Sequence, residues 1–341
     1  MKAVVFRKGR GLVVEELPVP DPGPDAVLVQ VSNTGFCGSD HSLIESGLLA
    51  DGTILGHEVS GTVAAVGRAV TGVRAGSRVM IRPTFCGKCR DCLMGKPHLC
   101  GGERRSIGIG DLPGGFAEYV KVYPQMLIPI PAGVDSRNAA LAETFAAALH
   151  GIRSAGSESG SVLVMGGGPI GLAAVRCLHL LGFSPIALSE PQAEKRAVGG
   201  RFGADRLIDP LKEDLRQMAR EWTGGVGFET ILECSGAAGN IPLAFELAAK
   251  SCTVCLISIL FRGITLEWPM LVNFKELRLS GAYSNTHAEN VRCVEWMARG
   301  EIDARPLISD LIPLEELPRT YGGRIHTGKA VKVMLQIGPE F

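Results

Sequence analysis

Hydrophobic and polar positions divide the chain into three stretches. In the first stretch, short apolar runs rich in Val are separated by Gly and Pro, which predicts strands at residues 3–7, 26–31, 58–66 and 78–82. From residue 161 onward, short apolar runs alternate with longer amphipathic ones. These predict strands at 161–165, 185–189, 229–233 and 253–258, and helices at 170–181, 192–202 and 241–249. After residue 285, a helix at 288–299 precedes strand-like runs at 308–312 and 330–336.

This change of pattern predicts two domains. Strands that alternate with helices form βαβ units and a parallel sheet, so the middle of the chain is predicted as an α/β domain. We therefore expect a β-rich domain over residues 1–150, an α/β domain over 151–284, and a return to the first domain over 285–341.

Composition narrows the range of partners. The 341 residues include 35 basic and 35 acidic side chains, so a formal net charge of zero gives no electrostatic reason to expect nucleic acid or an anionic membrane. No apolar run approaches the roughly 20 residues of a membrane-spanning helix, and the first residues lack the features of a signal peptide. We expect a cytoplasmic protein, where its ten cysteines favour metal ligation over disulfides.

Four of the cysteines form a compact motif. Cys86, Cys89, Cys92 and Cys100 lie within fifteen residues, and short loops between them can fold the four sulfurs into the tetrahedron that structural zinc prefers. Unpaired surface thiols or an iron–sulfur cluster are the alternatives, and no other redox motif accompanies them. The spacing therefore favours a closed, non-catalytic zinc site.

A second metal-binding pattern is weaker in isolation. Cys37 precedes the Gly56-His57-Glu58 tripeptide by about twenty residues. A thiolate and an imidazole are a normal start for a zinc site, but a buried cysteine and a core histidine would look the same. The tripeptide continues with glycines at 61 and 67 and a valine at 70, and this extended motif is much more specific.

A glycine-rich turn follows the apolar strand at 162–165 and opens a predicted helix. In this context the GxGxxG spacing indicates a dinucleotide site, because glycines allow the tight turn and a close approach to the pyrophosphate. The candidate contacts are Gly166, Gly168, Pro169, Ile170 and Gly171.

The residues after the next strand bear on the choice of cofactor. Glu190 comes nineteen residues after Gly171, and an acidic side chain there accepts hydrogen bonds from the ribose hydroxyls and repels a 2′-phosphate. This favours NAD over NADP. Lys195 and Arg196 lie just beyond and are predicted on the solvated face of the next helix.

Together and in this order, the motifs resemble those of the zinc-containing medium-chain dehydrogenase/reductase superfamily, in its sorbitol dehydrogenase-like branch. The resemblance covers nearly the whole chain and implies a GroES-like β-rich catalytic domain with a Rossmann domain. It implies a second, catalytic zinc held by Cys37, His57 and Glu143, the last in a Glu-Thr pair where polyol dehydrogenases carry Glu-Pro.

The resemblance also assigns roles around these ligands. Asp40 would orient His57, and Glu58 would lie beside the metal or exchange onto it. Ser39 would begin a proton relay that is completed either by His41 or by the ribose hydroxyls and water. Cys234 and Ser258 would lie along the cofactor.

The expected activity is the reversible, NAD-dependent oxidation of a secondary alcohol in a polyol, sugar acid or cyclitol. A simple alcohol or aldehyde dehydrogenase of the same family and a non-catalytic zinc-binding protein are the alternatives. The resemblance further implies a homo-oligomer, either a dimer or a tetramer.

Overall fold

The computed structural model describes residues 1–259 and 263–341. The strands in chain order are β1 (Lys2–Arg7), β2 (Gly11–Glu16), β3 (Val27–Gly35), β4 (Glu58–Val66), β5 (Arg78–Ile81), β6 (Tyr119–Val122), β7 (Leu127–Pro129), β8 (Val162–Met165), β9 (Ile186–Ser189), β10 (Arg206–Ile208), β11 (Phe228–Glu233), β12 (Ala248–Leu256), β13 (Arg278–Gly281), β14 (Ile308–Pro313) and β15 (Lys332–Gln336). The helices are α1 (Gly38–Glu45), α2 (Arg90–Leu93), α3 (Ser136–Ala155), α4 (Pro169–Leu180), α5 (Ala193–Phe202), α6 (Leu215–Trp222), α7 (Asn240–Leu247), α8 (Met270–Phe274), α9 (His287–Ala298) and α10 (Leu317–Thr320).

The chain forms two compact units. The first comprises Met1–Glu143 and Thr286–Phe341, and the second comprises Thr144–Asn285. The chain enters the second unit within α3 and returns to the first just before α9.

The first unit is built on a mainly antiparallel sheet. Its strands run in the order β14-β15-β3-β4-β5-β7, and β6 also pairs with β3. At the end of β3, Gly35 lies between Met334 on β15 and Glu58 on β4. This pairing brings together three segments that are far apart in sequence. One of its cores is formed largely by valines of β3, β4 and β6.

The second unit is built on a six-stranded parallel sheet with the order β10-β9-β8-β11-β12-β13. From β8, the chain adds β9 and β10 on one side of the sheet and then β11, β12 and β13 on the other, so the strand order reverses between β8 and β11. In open α/β sheets, ligands bind at the carboxyl ends of the strands beside such a reversal. Every residue of β8 and β9 is buried, as expected for parallel strands that are covered on both faces. The predicted Rossmann-type architecture is thereby confirmed.

The predicted end of the helix at 241–249 was wrong. The pattern predicted that a helix would continue to residue 249, but α7 ends at Leu247 and β12 begins at once. Ala248 pairs with Phe228 of β11, and the register then shifts before Thr253 pairs with Thr230. Ser251 in this interval has a φ of 61°. Sheet pairing, which local periodicity does not report, therefore overrides the helical pattern here.

Across the described ranges, no helix is both long enough and apolar enough to cross a lipid bilayer.

Candidate metal and cofactor sites

Cys37 lies at the N-terminus of α1, immediately after β3. Its backbone N–H donates a hydrogen bond to Asp40 Oδ2 at 2.9 Å, so the Asp40 carboxylate caps the helix that it belongs to. The Gly56 N–H also approaches Asp40, at 3.3 Å from Oδ1. The fully buried Asp40 thus ties Cys37 to the segment that carries the next candidate ligand.

His57 is buried between two polar side chains. Its Nδ1 is 3.3 Å from Asp40 Oδ1, and its Nε2 is 3.4 Å from Ser39 Oγ. Burial by itself would lower the pKa of His57, but the Asp40 carboxylate and Cys37 outweigh it, so the pKa is well above the usual value. A carboxylate behind Nδ1 is the arrangement that orients a metal-binding imidazole, because it leaves Nε2 to face the metal.

Glu58 is held by a buried lysine. Lys332 Nζ on β15 donates to the two carboxylate oxygens of Glu58 at 2.6 and 2.8 Å, and to the Phe36 carbonyl at 3.3 Å. The side chains are 2 % and 1 % exposed. Gly35 makes room for this pair, because a Cβ at that position would lie 1.9 Å from Glu58 Oε2.

The described residues bring ligand atoms of Cys37, His57 and Glu58 within 4.8 Å of one another. A thiolate, an imidazole and a carboxylate suit zinc, so this donor set fits the metal that the sequence predicts. Glu143, the third ligand that the resemblance implies, is not part of this group and lies in α3, half-buried. It is close enough to act on Lys332. Burial would lower the pKa of that lysine, but Glu58, with additions from Cys37 and Glu143, raises it.

The four-cysteine motif forms a compact sulfur cluster. The Sγ atom of Cys100 is 3.5 Å from that of Cys86 and 3.8 Å from that of Cys89, and the Cys86 and Cys92 sulfurs are 4.0 Å apart. Tetrahedral zinc with bonds of about 2.3 Å would separate its sulfurs by roughly 3.8 Å. Hydrogen bonding from the Cys92 N–H lowers the pKa of Cys89 to about 6. The distances between the four sulfurs therefore fit a structural zinc.

The glycine-rich turn of the second unit also fits its predicted ligand. Gly166 has a φ of 101°, and a Cβ on Gly171 would lie 1.9 Å from the Gly166 carbonyl oxygen. Gly168 is different, because a Cβ there would meet no protein atom within 4 Å. Pro169 follows as the first residue of α4, and Ile170 comes next. The open space at Gly168 is therefore a place where a pyrophosphate can approach the backbone and the helix N-terminus.

Glu190 lies beside this turn at the end of β9. It accepts hydrogen bonds from the Gly167 N–H at 2.7 Å and from the Gln192 N–H at 2.8 Å. Arg196 does not lie on a solvated face as predicted. Its guanidinium donates to the Glu190 carbonyl at 2.6 Å and pairs with Asp209 at 3.1 Å. A cavity of about 590 Å³ adjoins the turn and is lined by Glu190 and Lys195, among others.

Cys234 and Ser258 lie at the carboxyl end of the same sheet. Cys234 follows β11 and lines that cavity. Ser258 donates a hydrogen bond to Glu233, which is fully buried at the end of β11. Ser235 bonds the other carboxylate oxygen of Glu233, and this network holds the strand ends beside the glycine turn.

Comparisons with known proteins identify the family of this chain. Residues 23–132 match the family model of the alcohol dehydrogenase GroES-like domain, and residues 169–299 match that of the zinc-binding dehydrogenases. A sorbitol dehydrogenase of Halalkalibacterium halodurans is 33 % identical over 98 % of this chain and 99 % of its own length. An L-threonine 3-dehydrogenase of Rhizobium etli is 30 % identical over 98 % of both chains.

The chain belongs to the zinc-dependent medium-chain dehydrogenase/reductase family. A zinc-binding dehydrogenase from Sinorhizobium meliloti 1021, solved with NADP, has a TM-score of 0.89 and 33 % identity, with 99 % of both chains covered. Galactitol-1-phosphate dehydrogenase from Escherichia coli has a TM-score of 0.91 and 26 % identity, covering 98 % of this chain and 100 % of its own. This dehydrogenase is therefore an oxidoreductase of small-molecule alcohols that depends on zinc and a nicotinamide cofactor.

Two features of this dehydrogenase were not predicted from the sequence. Lys332 was not singled out, although a lysine within an apolar strand was the available signal. The surroundings of His41 were also unforeseen: its Nδ1 is 3.1 Å from the hydroxyl of Tyr321, a residue far along the chain.

Proposed function

We propose that this dehydrogenase uses zinc and NAD to oxidise, reversibly, a secondary alcohol of a polyol, sugar acid or cyclitol to a ketone. The observation that carries the proposal is the cluster of Cys37, His57 and Glu58, with Asp40 behind the imidazole. The second unit adds a glycine turn that is open at Gly168.

In this proposal, Cys37, His57 and Glu143 hold the catalytic metal. A zinc ion bound there would supply Lewis acidity toward a substrate hydroxyl. Asp40 would keep the proton on Nδ1 of His57, so that Nε2 presents its lone pair. Lys332 would balance the charge of Glu58 and limit how readily that carboxylate turns toward the metal.

Proton release is assigned to Ser39 and His41. Ser39 Oγ is 3.4 Å from His57 Nε2, which puts a hydroxyl beside the expected metal position. His41 lies two residues further along, on the half-buried part of α1. Ser39→Ala should lower kcat far more than it changes KM for the substrate, while Ser42→Ala on the same helix should change neither. Equal effects of the two variants would contradict the assignment.

Two zinc ions per chain are proposed, with different roles. Cys37→Ala should abolish turnover and leave about one zinc per chain with the fold intact. Elemental analysis and circular dichroism measure the two effects together. A fully loaded wild-type protein with a single zinc would disprove the two-site assignment.

NAD is the proposed cofactor, because the Glu190 carboxylate lies beside the glycine turn, where it would repel a 2′-phosphate. Glu190→Ser should reduce the preference for NAD over NADP. Because one relative was solved with NADP, kcat/KM of the wild type should be measured with both NAD and NADP. A higher kcat/KM with NADP than with NAD in the wild type would reverse the proposal.

The substrate class is supported by the hydroxylated compounds for which the relatives are named, sorbitol and galactitol-1-phosphate among them. The segments at 39–47, 102–110 and 283–287 are mostly small or polar, and only 6 % of all residues are aromatic. A site that hydrogen-bonds several hydroxyls rejects apolar alcohols, because its polar groups would stay unpaired.

A substrate panel tests this class directly. Sorbitol, a sugar acid, an inositol, 2,3-butanediol, L-threonine, ethanol and benzyl alcohol would be compared at equal concentration with NAD. We expect the highest kcat/KM on a polyol, sugar acid or cyclitol. Ethanol or benzyl alcohol at the top would establish the simple alcohol dehydrogenase, and L-threonine would establish an amino-alcohol substrate. No turnover of any compound in zinc-loaded protein would favour the non-catalytic alternative.

A homo-oligomer is proposed from the second unit. β13 is an edge strand of the described sheet, and Leu279 on it is 54 % exposed. Trp268 and Phe274 nearby in sequence are also exposed. Exposed apolar side chains at an open strand edge favour pairing with another copy. Light scattering after gel filtration should give a dimer or tetramer, and Leu279→Lys should shift it toward monomer.

A cytoplasmic location is also proposed. All ten cysteines lie in the described part of the chain, and no disulfide joins any two of them. This pattern is typical of proteins in a reducing compartment. Fractionation of cells that express the tagged protein would test it, and recovery outside the cytoplasm would overturn it.

A further inference from the structure

A third group of metal-ligating side chains includes two residues of α1. His41 and Glu45 are four residues apart on this helix and so share one face. His326 directly follows the π-helical turn Tyr321–Ile325. One ring nitrogen of each histidine and a carboxylate oxygen of Glu45 all lie within 4.8 Å of one another. The fold therefore joins three donors from two distant segments.

One distance between these donors is close to that of a coordination shell. His326 Nδ1 is 3.5 Å from Glu45 Oε1. Tetrahedral ligands with bonds of about 2.0–2.1 Å would be separated by roughly 3.4 Å. Two imidazoles and one carboxylate suit first-row transition ions, whereas Mg²⁺ and Ca²⁺ prefer shells made of oxygen.

A neighbouring tyrosine holds the donors in place. The Tyr321 hydroxyl donates to Glu45 Oε1 at 2.7 Å and lies 3.1 Å from His41 Nδ1. Its hydrogen bond lowers the pKa of Glu45. The two imidazole rings meet edge to face, 5.7 Å apart. Such outer contacts orient ligands before a metal arrives.

The group is open to solvent. The side chains of Glu45 and His326 are 48 % and 54 % exposed, so an ion can enter and water can complete its shell. The Cys37 cluster, in contrast, lies at the opposite end of α1 and includes the buried His57 and Glu58. The two groups share no ligand.

We propose that His41, Glu45 and His326 form a separate binding site for a divalent transition-metal ion of the Zn²⁺ or Ni²⁺ type. An ion bound there links the end of α1 to the segment at 321–326 and so stabilises the first unit. Because an ion on His41 would compete with the proton release proposed for that side chain, the test measures metal binding and not turnover.

The test is calorimetric titration with Ni²⁺ of protein that was first loaded with zinc and then freed of excess metal. Elemental analysis before and after confirms that nickel displaces no zinc. We expect one additional Ni²⁺ per chain in the wild type and no binding of Mg²⁺. His326→Ala and, separately, Glu45→Gln should weaken the binding by roughly 100-fold, since each removes a ligand. His179→Ala is the control, because it removes an exposed histidine from the second unit.

Thermal unfolding gives a second measurement. Ni²⁺ should raise the Tm of the wild type and of His179→Ala, but not that of His326→Ala, because a ligand stabilises only the state that binds it. Wild-type protein that binds no additional Ni²⁺ would overturn the proposal. Equal binding by the wild type and His326→Ala would overturn it as well.

Discussion

Replacement of Lys332 by methionine would break the buried pair beside the candidate zinc site. The substitution removes both hydrogen bonds to Glu58, of 2.6 and 2.8 Å, and leaves a carboxylate that is 1 % exposed. Methionine is unbranched and of similar length, so little space is lost. Removing one partner of a buried pair costs about 3–5 kcal/mol, because the charge that stays buried loses its counter-ion. We expect the free energy of unfolding to fall by about this amount.

Lys2→Met is a matched control. Lys2 Nζ is also 2.6 Å from a glutamate oxygen, that of Glu315, and it lies in the same unit. Those side chains are 46 % and 45 % exposed, so water screens the pair and the variant should be nearly as stable as the wild type. The comparison tests mainly burial, because the residue types and the shortest N···O distance are the same.

Urea unfolding of zinc-loaded protein is the assay. The chain has three tryptophans, and Trp296 is buried in the first unit at 3 % exposure. With Trp222 and Trp268 replaced by phenylalanine, fluorescence would report on the unit that contains Lys332. The double variant Glu58→Met with Lys332→Met should recover at least half of the loss, since no unpaired charge remains.

The pH dependence of this stabilisation follows from the direction in which the pKa of Lys332 is shifted. The pKa of Lys332 is raised in the folded protein, so its contribution is fully present below the usual lysine pKa of about 10.4 and is lost only at higher pH. The difference between the wild type and Lys332→Met should thus be constant from pH 7 to about pH 9. The reasoning would be refuted if Lys332→Met were no less stable than Lys2→Met.

Three further outcomes are expected. Gly168→Ala should keep the wild-type Tm but weaken NAD binding in calorimetry, because its Cβ meets no protein atom within 4 Å and would occupy the space left for the pyrophosphate. Gly171→Ala should instead lower the Tm, because its Cβ would lie 1.9 Å from the carbonyl oxygen of Gly166. Cys89→Ala should lose one zinc in elemental analysis and unfold at lower temperature, since structural zinc binding contributes folding free energy. Thr286→Ala should cost about 1 kcal/mol in urea unfolding by removing the N-cap of α9, and an unchanged midpoint would argue against the cap.

Much of the second unit was predictable from the sequence. The strand at 162–165, the glycine turn and the helix after it are contiguous, and local periodicity with backbone sterics defines them. The four-cysteine cluster is equally local, since its ligands lie within fifteen residues. Zinc and a nicotinamide cofactor could therefore be predicted from short motifs alone.

The extent of β12 and the surroundings of Arg196 could not be predicted in this way. Ala248 and Ala249 suit a helix as well as a strand, and pairing with β11 decides between them. Arg196 was predicted to face solvent, but its guanidinium pairs with Asp209, on a loop after β10, and is largely buried. Both outcomes depend on partners outside the local segment.

The sequence by itself determined the motifs, the fold class and the types of side chain available as zinc ligands. Only the tertiary structure decided which charges surround those ligands. Glu58 and Lys332 are 274 residues apart and meet because β4 and β15 both pair with the end of β3. His326 likewise reaches Glu45 only through the packing of the C-terminal segment near α1. Local sequence patterns indicate whether a segment prefers helix or strand. Which charged side chains pair depends instead on contacts between distant segments, and these form only when the chain folds.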